Sequence, residues 1–143
     1  MLVVDTSVLV YATGDTHPLR EPAIQLLRDV VESRVSATTT PEVLQEYANV
    51  RAHRRDRSSA RDQAERFAEL LGPLTTVSTR DVLDGLRLWE GTQSPGAFDA
   101  VLAALSLSRS WTLVSADRGF AHVDDLDWID LATYSDRRQS SGA

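Results

Sequence analysis

Short β-branched runs alternate along this chain with longer stretches whose apolar residues recur every three or four positions, the periods of strand and helix. Residues 2–5, LVVD, are three apolar residues closed by an acid, with no polar alternation, and predict a buried strand in the middle of a parallel sheet. Residues 7–12, SVLVYA, read equally as strand or short helix. After Pro18 and Pro22 comes an amphipathic helix over residues 23–33, with Ile24, Leu27, Val30 and Val31 at helical spacing. Residues 34–40, RVSATTT, form a short β-rich run. Pro41 suits a first helical turn, and Val43, Leu44, Tyr47 and Val50 then share one face. Ser58 or Ser59 is placed to cap the next helix, which ends at Gly72 before Pro73. LTTVS, residues 74–78, predicts another strand, and Thr79 a cap for the helix that follows. Residues 97–110 read as an apolar helix carrying Phe98, Val101, Leu102 and Leu105 into the core. TLVSAD (residues 112–117) and WIDLAT (128–133) are the last strands, and the polar residues 135–143 are expected to fray as a flexible tail. Trp89 and Trp128 are expected in the core or at an interface.

Strands of about four to six residues between helices of about ten to fifteen predict an α/β fold with a mainly parallel sheet. The length of 143 residues suits one domain, placed at residues 1–134, and is short for a dinucleotide domain plus a substrate domain. The first apolar run is broken by Asp5, Thr6 and Ser7 and lacks a basic flank, so neither a membrane span nor a targeting segment is expected.

Composition then narrows the chemistry. There is no cysteine, which removes disulfides, thiolate metal sites and cysteine nucleophiles and makes the cytoplasm the expected compartment. All 15 basic residues are arginine, so no P-loop lysine, Schiff-base lysine or Ser–Lys dyad exists. His17, His53 and His122 are never four residues apart, which excludes a helical zinc pair. Carboxylates and hydroxyls remain.

Two strands end in an acid, at Asp5 and Asp117, and ligands of parallel α/β sheets sit beyond the carboxyl ends of the strands. Capping a following helix is the alternative role for either residue. Asp99 lies in an otherwise apolar helix, where a carboxylate is costly unless paired or bound to a metal, although a first-turn position also suits the helix dipole. Glu42 and Glu46 are four apart on one helix face, and spacing does not choose between them.

VDTSVLVYA (residues 4–12), LQEYANV (44–50), FDAVLAALSL (98–107) and LVSADRGF (113–120), in this order, resemble the four motif blocks of a PIN domain, and in pattern the VapC toxins of bacterial VapBC toxin–antitoxin pairs. The resemblance runs from residue 2 to about residue 120. It implies a three-layer α/β/α sandwich around a parallel sheet of four or five strands. It also implies a catalytic quartet of Asp5, Glu46, Asp99 and Asp117, with Asp5, Asp99 and Asp117 holding Mg²⁺ or Mn²⁺ and hydroxyls from Thr6, Ser7 and Ser115 in support. The implied activity is metal-dependent endoribonuclease action as a toxin, in a homodimer restrained by a VapB-type antitoxin. One departure is visible: Arg118, Gly119 and Phe120 follow Asp117 where many members carry a further acid or asparagine. Asp124, Asp125, Asp127 and Asp130 come later and read as a solvated loop and strand face.

An oxygen-only donor set suits a hard divalent cation, and such a cation suits phosphodiester hydrolysis. Setting the quartet aside, 21 acids become 17 against 15 arginines, so the rest of the chain is close to neutral. Arg51, Arg54, Arg55, Arg57 and Arg61 cluster within eleven residues and, with Arg118, are candidate contacts to an RNA backbone; local pairing with Asp56 and Asp62 is the alternative. A PIN-like binding module without nuclease activity is a second functional reading. A phosphate-signalling receiver would need a lysine and a second early acid, and has neither.

Overall fold

The computed structural model describes residues 1–142, leaving aside the side chains of Arg138 and Ser141. Its four strands, β1 (Leu2–Val4), β2 (Ala37–Thr38), β3 (Thr112–Ser115) and β4 (Trp128–Asp130), form one sheet of order β2-β1-β3-β4 with every pairing parallel. The helices α1 (Thr6–Thr13), α2 (Arg20–Val31), α3 (Pro41–Arg54), α4 (Arg57–Leu70), α5 (Thr79–Glu90), α6 (Ala97–Arg109) and α7 (Tyr134–Ser141) complete a three-layer α/β/α sandwich. β1 is an interior strand, as its unbroken apolar run predicts, and Val3, Val4, Leu113 and Val114 at the sheet's centre are fully buried. Leu9, Leu26, Tyr47, Leu105 and Phe120 cover them from the helices and from the turn after β3.

The ambiguous SVLVYA run is helix α1, because β1 stops at Val4 and Asp5 turns the chain at the sheet edge. Residues 74–78 are not a strand. β2 is two residues long, and the segment beside it is held by single bonds: the Thr75 amide to the Thr39 carbonyl at 2.9 Å and the Thr38 hydroxyl to the Pro73 carbonyl at 3.2 Å. The caps also differ by one or two residues from expectation. Asp56, rather than Ser58 or Ser59, caps α4 by accepting from the Ser59 amide at 2.7 Å. Ser78, rather than Thr79, caps α5 in a reciprocal box with Asp81. Residues 135–141, expected to belong to a frayed tail, continue α7 from the buried Tyr134, whose hydroxyl donates to the buried Asp29 at 2.8 Å; of that tail, Ala143 lies outside the described residues.

Two apolar residues assigned to the interior face water: Val31 is exposed, and Phe98 is 86% exposed. Trp89, expected in the core or at an interface, lies on the surface of the chain. On α6 the buried stripe runs through Ala100, Leu102, Ala103 and Leu105, which places Phe98 at the helix tip, turned off that stripe. Trp128 is half-buried.

Helices α5 and α6 form a tight hairpin that fixes where α6 begins. A Cβ on Gly85 would stand 2.5 Å from the Val101 Cα, so the two backbones touch where only glycine fits. Gly85→Ala is expected to lower stability by about 1–3 kcal/mol through overpacking against a backbone that has nowhere to move. A thermal melt reads this directly, and an unchanged melting temperature would show that the hairpin yields.

Candidate active site

The chain steps from β1 to β2 on one side, then returns through α3–α6 to place β3 on the other side of β1. This reversal between β1 and β3 makes a crevice at the carboxyl ends of the two strands. Val4 pairs with Val114, so Asp5 lies opposite Ser115, and the Asp5 amide donates to the Val114 carbonyl at 3.1 Å. Two acids 112 positions apart in sequence, Asp5 and Asp117, thereby share one edge.

Hydroxyls orient the deepest acid. Asp5 is only 5% exposed and makes no helix-capping bond with its side chain. Its Oδ2 accepts instead from Ser115 Oγ at 2.6 Å and from Ser7 Oγ at 3.0 Å. Ser115 Oγ accepts in turn from the Asp117 amide at 2.9 Å, and Ser7 Oγ from the Ala116 amide at 3.0 Å. Burial raises the pKa of Asp5, and the two serine hydroxyls with the nearby amides of Thr6 and Ser7 offset part of that rise. Asp117 does both jobs foreseen for it: it faces the crevice, and its Oδ1 caps the following turn by accepting from the Gly119 amide at 2.8 Å.

Glu46, on α3, is tied to the same place by Thr6, whose Oγ1 donates to Glu46 Oε2 at 3.0 Å. This contact separates Glu46 from Glu42, which stays exposed in the first turn of α3. The helix is set at this angle by Thr40, which caps it through the Val43 amide, and by Thr39, whose hydroxyl donates to the Val4 carbonyl at 2.7 Å.

Asp99 stands in the first turn of α6, partly buried. Its carboxyl is pushed up to about 7, first by burial and then by the charges of Asp5, Asp117 and Glu46, and it is close enough to Asp117 to share a proton. The four acids expected to act together therefore lie in one electrostatic field. Among the described residues no three of them already stand as ligands around a single point. Mutual repulsion opposes such closure until positive charge enters, and an all-oxygen donor set of this kind fits a hard divalent cation.

Of the candidate arginines, Arg51 works inside the fold. Its Nη1 donates to the Thr13 carbonyl at 2.6 Å, closing the end of α1, and its Nε and Nη2 reach Ser59 Oγ at 3.4 Å. Those bonds engage the guanidinium within the fold. Arg55 pairs with Asp15, and Arg61 with Asp62 and Glu65, all on the surface. Arg54 and Arg57 form no ion pair among the described residues; Arg54 lies eight residues beyond Glu46, about 12 Å along the helix. Arg118 is beside Asp117, 86% exposed, with Asp130 at 3.7 Å.

Asp130, read in the sequence as part of a solvated loop and strand face, pairs in register with Ser115 at the same sheet edge, and its Oδ1 caps the Ala132 amide at 3.0 Å. Sequence reading gave no role to two further residues here. Gly119 and Ser94 meet beside Asp117: a Cβ on Gly119 would lie 2.2 Å from Ser94 Oγ and 3.0 Å from Asp117 Oδ1. A glycine two residues after a strand-ending acid was the available signal.

Fold and site together define an α/β domain with an acidic crevice at the topological switch point of a parallel sheet. The PIN domain family model matches residues 2–126, and the chain belongs to this family. It is 44% identical over 131 residues to Ribonuclease VapC7 of Mycobacterium tuberculosis, covering 88% of each chain. Its fold is similar to FitAcB from Neisseria gonorrhoeae, with a TM-score of 0.71 at 15% identity over 92% of this chain and 98% of the other. It is also similar to VapBC2 from Rickettsia felis bound to a DNA fragment from their promoter, with a TM-score of 0.67 at 16% identity over 90% and 96%.

Proposed function

We propose that this protein is an endoribonuclease of the VapC toxin type, which hydrolyses RNA phosphodiester bonds at the edge formed by Asp5, Glu46, Asp99 and Asp117. The observation that supports the reading is geometric: β1 and β3 bring Asp5 and Asp117 to one sheet edge and Thr6 ties Glu46 there, in keeping with the upward shift of the Asp99 carboxyl by the charges of the other three. The 44% identity to a protein named as a ribonuclease supports RNA as the substrate.

Asp5, Asp99 and Asp117 would hold Mg²⁺ or Mn²⁺, and such an ion would activate a bound water and neutralise charge on the phosphate. The protein's own contribution is orientation. Ser7 and Ser115 fix Oδ2 of Asp5 and so set the plane of its carboxylate. Thr6 holds Glu46 in place through Oε2. With its carboxyl pushed up to about 7, Asp99 is partly protonated near neutral pH, which limits the repulsion the fold must bear.

By its likeness to VapC proteins the toxin works as a homodimer in the cytoplasm, with a VapB-type antitoxin as its inhibitor; VapBC2 is a two-component relative of similar fold. No described helix is long and apolar enough to cross a membrane.

The test is cleavage of total cellular RNA by the purified protein with Mg²⁺, with Mn²⁺ and with excess chelator, beside Asp5→Asn. Discrete fragments that require both the metal and Asp5 are expected. Equal cleavage by both proteins would show that the site is elsewhere, and no cleavage together with tight RNA binding would favour the binding-module reading.

A further inference from the structure

Phe98 is the most exposed large hydrophobic side chain among the described residues, at 86%. It precedes Asp99 in the first turn of α6, so the two Cα atoms are about 3.8 Å apart, and its ring lies exposed at the end of the helix that carries Asp99. The other exposed apolar side chains of this hairpin, Val82, Leu83, Leu86 and Trp89 on α5, are only 38–49% exposed. Val82, Leu86 and Trp89 follow helical spacing, which suits contact with another helix. Phe98 instead stands nearly free beside a carboxylate of the site.

The electrostatics around Asp99 indicate what covers Phe98. Without a cation Asp5, Glu46, Asp99 and Asp117 repel a phosphate backbone, and of the candidate arginines only Arg118 adjoins these acids in sequence. The proposed ion would offset that repulsion at the scissile phosphate but gives no hold on a base, which an aromatic face provides to any unstacked base. A second protein copy seated on Phe98 would also cover the end of the helix that carries Asp99.

We propose that Phe98 is a stacking platform for a nucleobase of single-stranded RNA next to the phosphate being cut, an inference that rests on the ribonuclease reading above. A backbone engaged at Asp99 presents a neighbouring base to the Phe98 ring. The contact sets which strand conformation is accepted, and it is tolerant of base identity because every base has a π-face.

The test uses Phe98→Ala, Phe98→Leu and Phe98→Tyr with a synthetic oligoribonucleotide spanning a site that the wild type cuts in total RNA. The Ala and Leu variants are expected to raise KM by about 5- to 150-fold with kcat within about threefold of wild type, and Tyr to restore KM. Melting temperature and oligomeric state are expected to stay as in the wild type, because the ring packs on almost nothing. An unchanged KM in Phe98→Ala would overturn the proposal, and so would Leu serving as well as Phe, since burial without stacking would then suffice. A change of oligomeric state in Phe98→Ala would assign the ring to a contact between copies instead. A wild type that cuts no RNA removes the ribonuclease reading itself, whereas a wild type that cuts, matched by Phe98→Ala, removes only the stacking contact.

Discussion

Asp99→Asn is expected to cost at least about 100-fold in RNA cleavage: if Asp99 holds the metal as proposed, its loss should exceed the 10–100-fold typical of residues one step behind a metal. The same change is expected to make the folded protein more stable at about pH 8. The Asp99 carboxyl titrates near 7 in the folded chain, against an ordinary value of 3.8, because of burial and the charges of Asp5, Asp117 and Glu46. Between those two values the folded chain holds a proton that the unfolded chain has lost. Stability therefore falls as pH rises through that window, and the full penalty persists above it. Asparagine carries no charge and no such penalty. The side chain is partly open to water, so the gain is about 1–3 kcal/mol, or roughly 3–9 °C in Tm. The gap between variant and wild type should vanish near pH 4 and be complete by about pH 8. Saturating Mg²⁺ or Mn²⁺ should narrow it by raising the Tm of the wild type. Melts across pH, with and without metal, decide this; a gap independent of pH would take Asp99 out of the shared field.

Arg109→Met is expected to be the most damaging single change to stability away from the site. Asp81 is 4% exposed and accepts from Arg109 Nη1 at 3.0 Å and Nη2 at 3.2 Å, besides the Ser78 amide at 2.9 Å. Burial alone would raise the pKa of Asp81, but the guanidinium and the Ser78 bonds outweigh it and hold the carboxyl below its usual value. Removing Arg109 strands a buried carboxylate and also loses the contact of its guanidinium with the Trp111 ring, 5.7 Å away. Arg109 is 27% exposed, so water recovers part of the loss, and about 2–4 kcal/mol is expected. Because the folded pKa of Asp81 is depressed, this stabilisation is present above about pH 4 and disappears as pH falls through the folded value. The difference between wild type and Arg109→Met should shrink accordingly in acid. The double change Asp81→Asn with Arg109→Met should cost less than Arg109→Met alone, since no charge is then left unpaired. Equal losses would mean that packing of the arginine stem, not its charge, holds α5 to α6.

Much of the site was legible before any coordinates because its chemistry is sparse. A chain with no lysine or cysteine leaves acids and hydroxyls, and Asp5 and Asp117 announce themselves by ending β-branched runs. Asp99 announces itself as a charge in an apolar helix. Glu46 does not: Glu42 and Glu46 share a helix face, and only the Thr6 hydroxyl, 40 positions away, distinguishes them. Phe98 was misplaced for a related reason. The helical period marks which residues share a stripe, but it does not say where the partner layer ends, and Phe98, in the first turn of α6, has nothing covering it. Arg51 shows the same limit for charge, since a run of arginines reads as surface until one of them is found closing α1.

Periodicity, turn chemistry and donor type are local, so the order of residues by itself determined the α/β class, the interior position of β1, and a candidate site whose donors are all oxygens. Strand order, burial depth and electrostatic coupling depend on which distant segments meet. Only the tertiary structure decided that residue 5 lies opposite residue 115, 110 positions along the chain, with Asp117 beside them. That meeting, together with α6 docking its first turn against the same edge, makes Asp99 a group that titrates near neutrality rather than an ordinary carboxylate.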